Sequence, residues 1–452
     1  MRKRKKIEDK YYTHLDIKKK YSSYEKKLCN PDWVKKHGFY PFIHYQIIFN
    51  KYILNIEGHK EKKQKIREIY YSAHVDRFIY QYYAQLINDK YNTYTIDKGI
   101  NAVSTAYRNN KKGKCNIHFA KEVLEFLCKK EEAFVFVGDF TSFFDNLEHE
   151  YLKKRLQQVL GVEKLLDDYY QVYKNITRFT YVELVDIESF KNKKRKDMRR
   201  LEKYFETSEF QKFKKENLKR HMENYGIPQG SSISAVLANV YMTEFDKKIN
   251  DYVTSNNGLY RRYCDDIIII IPMTQQLLSE QKHLLHIQKI DNITKSVPRL
   301  ELNLDKTEQY FYDANAERKL IDVKGSKNCL SYLGFSFDGQ YVRIREKSLF
   351  KYYCRAYKKV KTVKKHKGQK DEYVIKKSLY KLYTHLGDKK YPGKNGNFIT
   401  YANKAHSIFK DSDCLESKIY SQIKKHWNKI NKRLNEPQPQ NESENMNSRV
   451  NI

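Results

Sequence analysis

The sequence predicts an α+β fold, and three features carry that expectation. Two apolar runs of strand length, Phe134–Val137 and Ile267–Ile271, each meet aspartate at one end. The stretches around them, Leu147–Leu160 and Ser234–Asp246 among them, read as helices. Beyond residue 346 the chain becomes helical and basic. Five consecutive isoleucines behind Asp265-Asp266 indicate a fully buried strand. Unpaired carboxylates are costly to bury, so a cation or water should meet them there.

Taken in order, residues 1–60 mix lysines with Tyr11, Tyr12, Trp33 and Phe39–Phe42 and read as short helices behind a mobile basic start. Residues 61–98 predict helix, with Ile66, Ile69, Tyr70, Ala73, Phe78 and Ile79 at mixed three- and four-residue spacing. A loop rich in Asn, Lys and Gly covers 99–118, then a helix at Ala120–Leu127. Ala133–Gly138 reads as a strand ending at Asp139. Residues 186–224 carry a dense basic run, most simply a solvated helix face, with template contact as the minority reading. Gly226–Gly230 is a turn, and Tyr263–Ile271 a single strand. Short strands fill 300–345, and a glycine-bearing loop at Tyr391–Phe398 interrupts the helices that follow. The tail 436–452, rich in Pro, Asn, Gln and Ser, reads as disordered.

The chain has 452 residues, with 88 Lys and Arg against 55 Asp and Glu, a net charge of +33. That excess points to an extended polyanion, nucleic acid first. The 39 tyrosines and 23 phenylalanines among the lysines suit base stacking beside backbone contact. An AT-rich gene would raise Lys, Ile, Tyr and Asn together, but would not explain why cations so outnumber carboxylates. Seven dispersed cysteines form no C-x-x-C pair, which argues for reduced thiols in a cytoplasm and against a zinc site. The basic start Met1–Lys6 has no apolar segment behind it, so no secretory signal is expected. No apolar run approaches the ~20 residues of a membrane helix. No G-x-x-x-x-G-K-[ST] run supports an ATPase.

The chemistry sits in three segments. If the two apolar strands are sheet neighbours, Asp139 and Asp265 converge, with Asp266 beside them. Carboxylates so placed suit hard divalent ions such as Mg2+, and two ions would support in-line phosphoryl displacement. The third segment, Gly226-Ile227-Pro228-Gln229-Gly230-Ser231-Ser232, is a rigid turn before a helix, where backbone approaches a ligand closely.

The ordered set Asp139–Asp145, Gly226–Ser234, Tyr263–Asp266, Asn303–Glu308 and Tyr332–Phe335 resembles the palm motifs of reverse transcriptases. The resemblance covers roughly residues 99–345. Ala106-Tyr107-Arg108, Asn116, Phe119-Ala120 and Ile233–Met242 make it more similar to bacterial defence-associated enzymes, the unknown-group and abortive-infection-like reverse transcriptases. Ala235, where many better-known relatives have Pro, agrees with those groups.

The resemblance implies a right-hand polymerase. Its parts would be a basic helical extension (1–60), fingers (61–133), an antiparallel-sheet palm (134–345, with a basic helical insertion at 186–224) and a helical, basic thumb-like domain (346–435). It implies two Mg2+ ions, with Mn2+ as a substitute, held by Asp139, the Phe140 carbonyl, Asp265 and Asp266. Phe144 would be a steric gate selecting deoxynucleotides. Arg108 is the first choice for the triphosphate clamp, because a guanidinium binds phosphate in bidentate fashion. Gln229 and Lys306 would touch the nucleotide, Gly230 the nascent pair or template, and Tyr332, Leu333 and Gly334 the primer. The partners implied are a noncoding RNA template, dNTPs and a DNA product, in phage defence. Protein-primed or template-independent nucleotide addition, and a non-catalytic nucleic-acid-binding protein on the same fold, are the alternatives.

Overall fold

The computed structural model describes residues 7–54, 60–325, 328–388 and 396–436. The basic start at 1–6, most of the expected glycine-bearing loop and nearly all of the 436–452 tail lie outside the described residues. The chain forms two compact units. One joins Met1–Gly113 to Val135–Glu308, the other Lys114–Phe134 to Gln309–Ile452.

In the first unit a long hairpin pairs Phe42–Leu54 with Lys60–Tyr71, placing His44 opposite Tyr70. Its first strand runs parallel to Thr180–Glu183, which pairs antiparallel with Lys219–Arg220 to complete a four-stranded sheet. The helix expected over 61–98 is therefore only half right. Lys60–Tyr71 is strand, and helix begins at His74 and runs to Asp97. Lys, Glu, Gln and Arg favour helix locally, but pairing along a neighbouring strand overrides that preference. The 1–60 stretch does hold short helices, Glu25–Leu28 and Pro31–Lys36, before the first strand. The second starts with Asn30, whose side chain accepts from the Trp33 amide, and with Pro31 at the first helical position.

A second sheet of this unit sets Leu259–Tyr263, Asp266–Pro272 and residues 135–139 side by side. Ile267–Ile271 is at most 1% exposed, the burial that the isoleucine run predicts. The single strand expected over Tyr263–Ile271 is instead two. Leu259–Tyr263 turns through Cys264-Asp265 and returns antiparallel, with Tyr263 opposite Asp266. Cys264 takes φ 63°, a positive value at the first loop position, as primed hairpin turns require. The helix expected at Ser234–Asp246 is likewise two, Ser234–Tyr241 and Thr243–Ser255. The basic run contributes the helices Leu184–Lys191 and Thr207–Asn217. They have a core of their own, in which Ile187, Met198, Tyr204, Phe205 and Phe213 pack with Leu15, Ile43 and Val182.

In the second unit, Leu330–Tyr332, Phe335–Phe337, Tyr341–Ile344 and Glu416–Ser417 form a four-stranded sheet. Helices Glu346–Lys365, Glu372–Tyr383 and His426–Asn435 bury Ala356, Val360, Val363, Leu379 and Ile430 together. Among the described residues, no helix is long and apolar enough to cross a membrane.

The Gly226–Gly230 turn is clamped to the long hairpin. The Tyr70 amide donates to the Gln229 carbonyl at 2.8 Å. Gly230 has φ 117°, and a Cβ there would stand 2.6 Å from the Tyr70 carbonyl oxygen. Gly230→Ala should therefore destabilise the protein by ~1–3 kcal/mol, read as an earlier midpoint in urea unfolding. A variant as stable as the parent would show that turn and strand separate without cost.

Candidate active site

The sheet order makes the two carboxylate-bearing strands neighbours. Asp265 lies in the hairpin turn, and Asp139 ends the adjacent strand. Their carboxylates are within reach of each other. Burial, and then the Asp139 carboxylate, push Asp265 above the usual carboxylate range. One Asp139 oxygen, Oδ1, is buried without a hydrogen-bond partner, and the other is ion-paired to the Lys306 ammonium. The Asp139 carbonyl accepts from the Asn303 amide at 2.7 Å, which ties the Asn303–Lys306 loop to the strand end. Asp266 opens the second hairpin strand and is exposed. Phe140 is 3% exposed, bridges Leu302 and stacks on Phe143, so only its backbone could serve a ligand.

An orphaned, buried carboxylate oxygen beside a second carboxylate suits a hard cation. The fit is partial. Among the described residues no three His, Cys, Asp or Glu side chains gather into a metal-holding group. Two carboxylates converge, and the third does not join them.

Beneath the turn lies a polar network that the sequence did not single out. Arg262 is 0% exposed. Its Nε and Nη2 donate to both Asp246 oxygens at 2.8 and 2.6 Å. Its Nη1 donates to Asn239 Oδ1 at 3.1 Å and to the Cys264 carbonyl at 2.9 Å. The Tyr260 hydroxyl donates to Asp246 at 2.8 Å, and the Ser104 hydroxyl to Asn239 at 3.0 Å. Burial alone would weaken the Arg262 charge, but the Asp246 carboxylate overcomes it and holds the proton more firmly than usual. The guanidinium thus fixes the backbone of the turn that presents Asp265.

The 103–108 loop runs along the same hairpin. The Arg262 amide donates to the Val103 carbonyl, and the Thr105 amide to the Arg262 carbonyl, both at 2.9 Å. Arg108 does not reach out from this loop. It is 9% exposed, and its donors go to Asn92, Thr95, Asn101 and Ser104. Its guanidinium also lies 4.8 Å from the centre of the Tyr91 ring. In this structure Arg108 braces the loop instead of offering a phosphate clamp. Its neighbour Tyr107, at φ 58° and 55% exposed, is the outward residue. Partial burial, then the Cys264, Tyr263 and Asp265 groups, push its phenol up to about 12. Positive φ cannot be read from a tyrosine in sequence, which is why Arg108 was the more visible candidate.

The Gly226–Gly230 turn meets the Asp139 segment through its backbone. The Ile227 amide donates to the Phe144 carbonyl at 3.0 Å, and the Gly226 amide to the Leu147 carbonyl at 2.8 Å. Phe143 is core, at 4% exposed, whereas Phe144 is half-buried in the following 3-10 turn. Of the two adjacent phenylalanines, Phe144 is the one still open to a ligand. Gln229 is half-buried, and Gly230 is exposed.

In the second unit, Leu333 and Gly334 form a two-residue turn with φ 45° and 93°. The Asn116 side chain donates to the Leu333 carbonyl at 3.0 Å and to the Tyr401 hydroxyl at 2.9 Å. The Arg345 amide donates to the Gly334 carbonyl at 3.0 Å. Tyr332 precedes this turn at 3% exposed.

Residues 59–337 match the family model described as reverse transcriptase (RNA-dependent DNA polymerase). The match covers more than half of the sequence, and the chain belongs to that family. No curated protein matches it. Solved structures of telomerase are similar to it at low identity. Apo telomerase from Candida Tropicalis shares 16% identity over 85% of this chain and 58% of that one, with a TM-score of 0.40. Telomerase from Candida albicans in complex with a TWJ fragment of telomeric RNA shares 12% over 91% and 59%, with a TM-score of 0.37. This chain thus spans about three-fifths of the length of those structures.

Arg262→Met alone strands a buried Asp246 carboxylate and should cost ~3–5 kcal/mol. Adding Asp246→Leu should recover part of that loss, as read by urea unfolding of both variants. A double variant weaker than Arg262→Met would mean that the pair does not act as a unit.

Proposed function

We propose that this protein is an RNA-directed DNA polymerase built as a right hand. The 134–345 region is its palm, 61–133 its fingers and 346–435 its thumb. The observation that carries this reading is the meeting of Asp139 and Asp265 on neighbouring strands, inside the span that matches the reverse transcriptase family. Asp139, Asp265 and the Phe140 carbonyl, with Asp266 at the strand start, would hold two Mg2+ ions. When bound, such ions lower the barrier for a 3′-hydroxyl to attack the α-phosphate and for pyrophosphate to leave. Lys306, ion-paired to the Asp139 carboxylate, would meet the triphosphate. Phe144 lies beneath the sugar and excludes a 2′-hydroxyl. Gln229 and Gly230 face the nascent pair, and the Leu333-Gly334 turn steadies the primer.

The finer reading rests on the resemblance of Ala106–Arg108, Asn116 and Ile233–Met242 to defence-associated enzymes. The template is an associated noncoding RNA, and its DNA product acts against phage, in the cytoplasm. Sequencing the RNA that co-purifies and the DNA newly made would test this reading. A product without a complementary co-purified RNA would count against it.

Asp139→Asn and Asp265→Asn should each lower primer extension at least ~100-fold, since each removes a negative charge that would hold the Mg2+ ions. Far-UV circular dichroism should stay unchanged. Synthesis at the parental rate in either variant would remove the two-metal proposal. Phe144→Ala should raise ribonucleotide use relative to deoxynucleotide use, measured as the ratio of kcat/KM values. An unchanged ratio would return Phe144 to a packing role.

A further inference from the structure

The basic insertion at 186–224 finds no part in the chemistry above, yet its arginines border a cavity beside the Gly230 turn. This cavity, of about 540 Å³, lies wholly in the first unit. Four cations line it: Lys10 from the N-terminal segment, Arg77 from the helix after the long hairpin, and Arg195 and Arg199 from the insertion. Among the described residues no carboxylate lines it. Gly230 and Ser232 form its edge toward the turn.

Three details make this a built anion site and not a solvated charge run. Arg77 is 7% exposed, and its Nε is buried without a partner. Its other nitrogens are fixed, by Gln81 Oε1 and the Glu8 carbonyl, both at 3.0 Å. Ser232 Oγ is a second buried polar atom without a partner. Arg195 is held with its guanidinium 4.4 Å from the centre of the Tyr45 ring. Tyr45 and Tyr71 meet edge to face at 5.8 Å in the same wall, so aromatic surface stands beside fixed cations.

We propose that this cavity binds a phosphodiester of single-stranded nucleic acid, with Arg77, Arg195 and Arg199 on the phosphate and the tyrosine wall against the flanking base. Continuity with Gly230 makes that strand the template on its way to the Gln229 turn, a placement that rests on the polymerase reading. Fixed cations beside aromatic faces are what unpaired strands use. A duplex has its bases stacked inward and would leave the tyrosines unused. The insertion's core buries Met198, next to Arg199 in the chain, together with Tyr204 and Phe205, and Arg195 stands on the Tyr45 ring.

The test measures binding without nucleotides, so that it does not depend on synthesis. Short oligouridylate, oligothymidylate and a duplex are titrated by fluorescence anisotropy against the full chain. Arg195→Ala with Arg199→Ala should weaken single-strand binding at least ~10-fold and reduce the salt slope by about 1. Lys212→Ala with Lys215→Ala removes the same charge from exposed positions of the insertion outside the cavity, and should change binding less than threefold. Arg199→Glu, at an exposed position, repeats the measurement in case loss of the Arg195–Tyr45 stack disturbs folding. Equal losses in the cavity and control variants, or unchanged binding in the cavity variants, would overturn the proposal. So would duplex binding that falls as much as single-strand binding. Tighter oligouridylate than oligothymidylate would support an RNA template, and the reverse would overturn that assignment. If the parent binds single strands through the cavity but extends no primer, the polymerase reading fails while the binding site stands.

Discussion

The Arg262–Asp246 pair is the constraint on which the site depends. A charge buried this completely is tolerable only when each donor finds an acceptor. Here the acceptors come from three separate stretches: Asp246 and Asn239 from two helices, and the Cys264 carbonyl from the turn itself. Meeting that requirement fixes the helices, the hairpin and the 103–108 loop relative to one another. Cys264 in particular holds an unfavourable positive φ, and the bond from Arg262 to its carbonyl opposes relaxation of the turn. Asp265, the next residue, inherits that rigidity. If Asp265 holds a metal ion as proposed, a stiff support would serve it, because misplacing reacting groups by an ångström costs much of the rate.

Most of the carboxylate site was legible because its signals are local. An isoleucine run next to paired aspartates, and an apolar run ending in aspartate, carry their meaning within a few residues. The strand order that joins them is the one nonlocal step, and the structure supplies it. Lys60–Tyr71 was misread because Ile66, Ile69 and Tyr70 continue the three- and four-residue spacing of the helix that follows, and its strand state comes from a partner that lies earlier in the chain. Arg262, Asp246 and Asn239 were passed over for a similar reason. An arginine next to an aspartate-bearing turn looks solvent-facing in sequence, and only the fold reveals that its acceptors lie 16 and 23 residues away. Arg108 was overvalued on the same logic, because a guanidinium shows its charge in sequence but not its partners.

The cations nearest the aspartate turn differ in what they leave free. Arg262 and Arg108 have their donors consumed within the fold. Lys306 holds one oxygen of Asp139, and the other oxygen is buried without a partner. That asymmetry matters electrostatically. Asp139 and Asp265 are like charges at close range, and burial raises the cost of keeping both ionised. The Lys306 ammonium offsets part of that repulsion, so the pair can stay together without every carboxylate oxygen being satisfied by protein donors. A divalent cation would relieve the same repulsion more strongly, and the residue that now does so would then be released toward an incoming anion.

The Gly226–Gly230 turn shows how the parts are kept in register. Through Ile227 it is bonded to the backbone of Phe144, five residues past Asp139, and through Gln229 to the Tyr70 amide of the long hairpin. Each contact is backbone to backbone, so it survives changes of side chain and transmits position instead of chemistry. Displacing the hairpin strand would pull on the turn, and the turn on the segment that follows Asp139. The absent side chain at Gly230 is what permits the approach to the Tyr70 carbonyl, and the cavity bordered by Arg77, Arg195 and Arg199 opens beside that point of contact. A strand seated there would press against a turn rigidly linked to the carboxylates. Template position and catalytic geometry would then be set by one continuous piece of backbone.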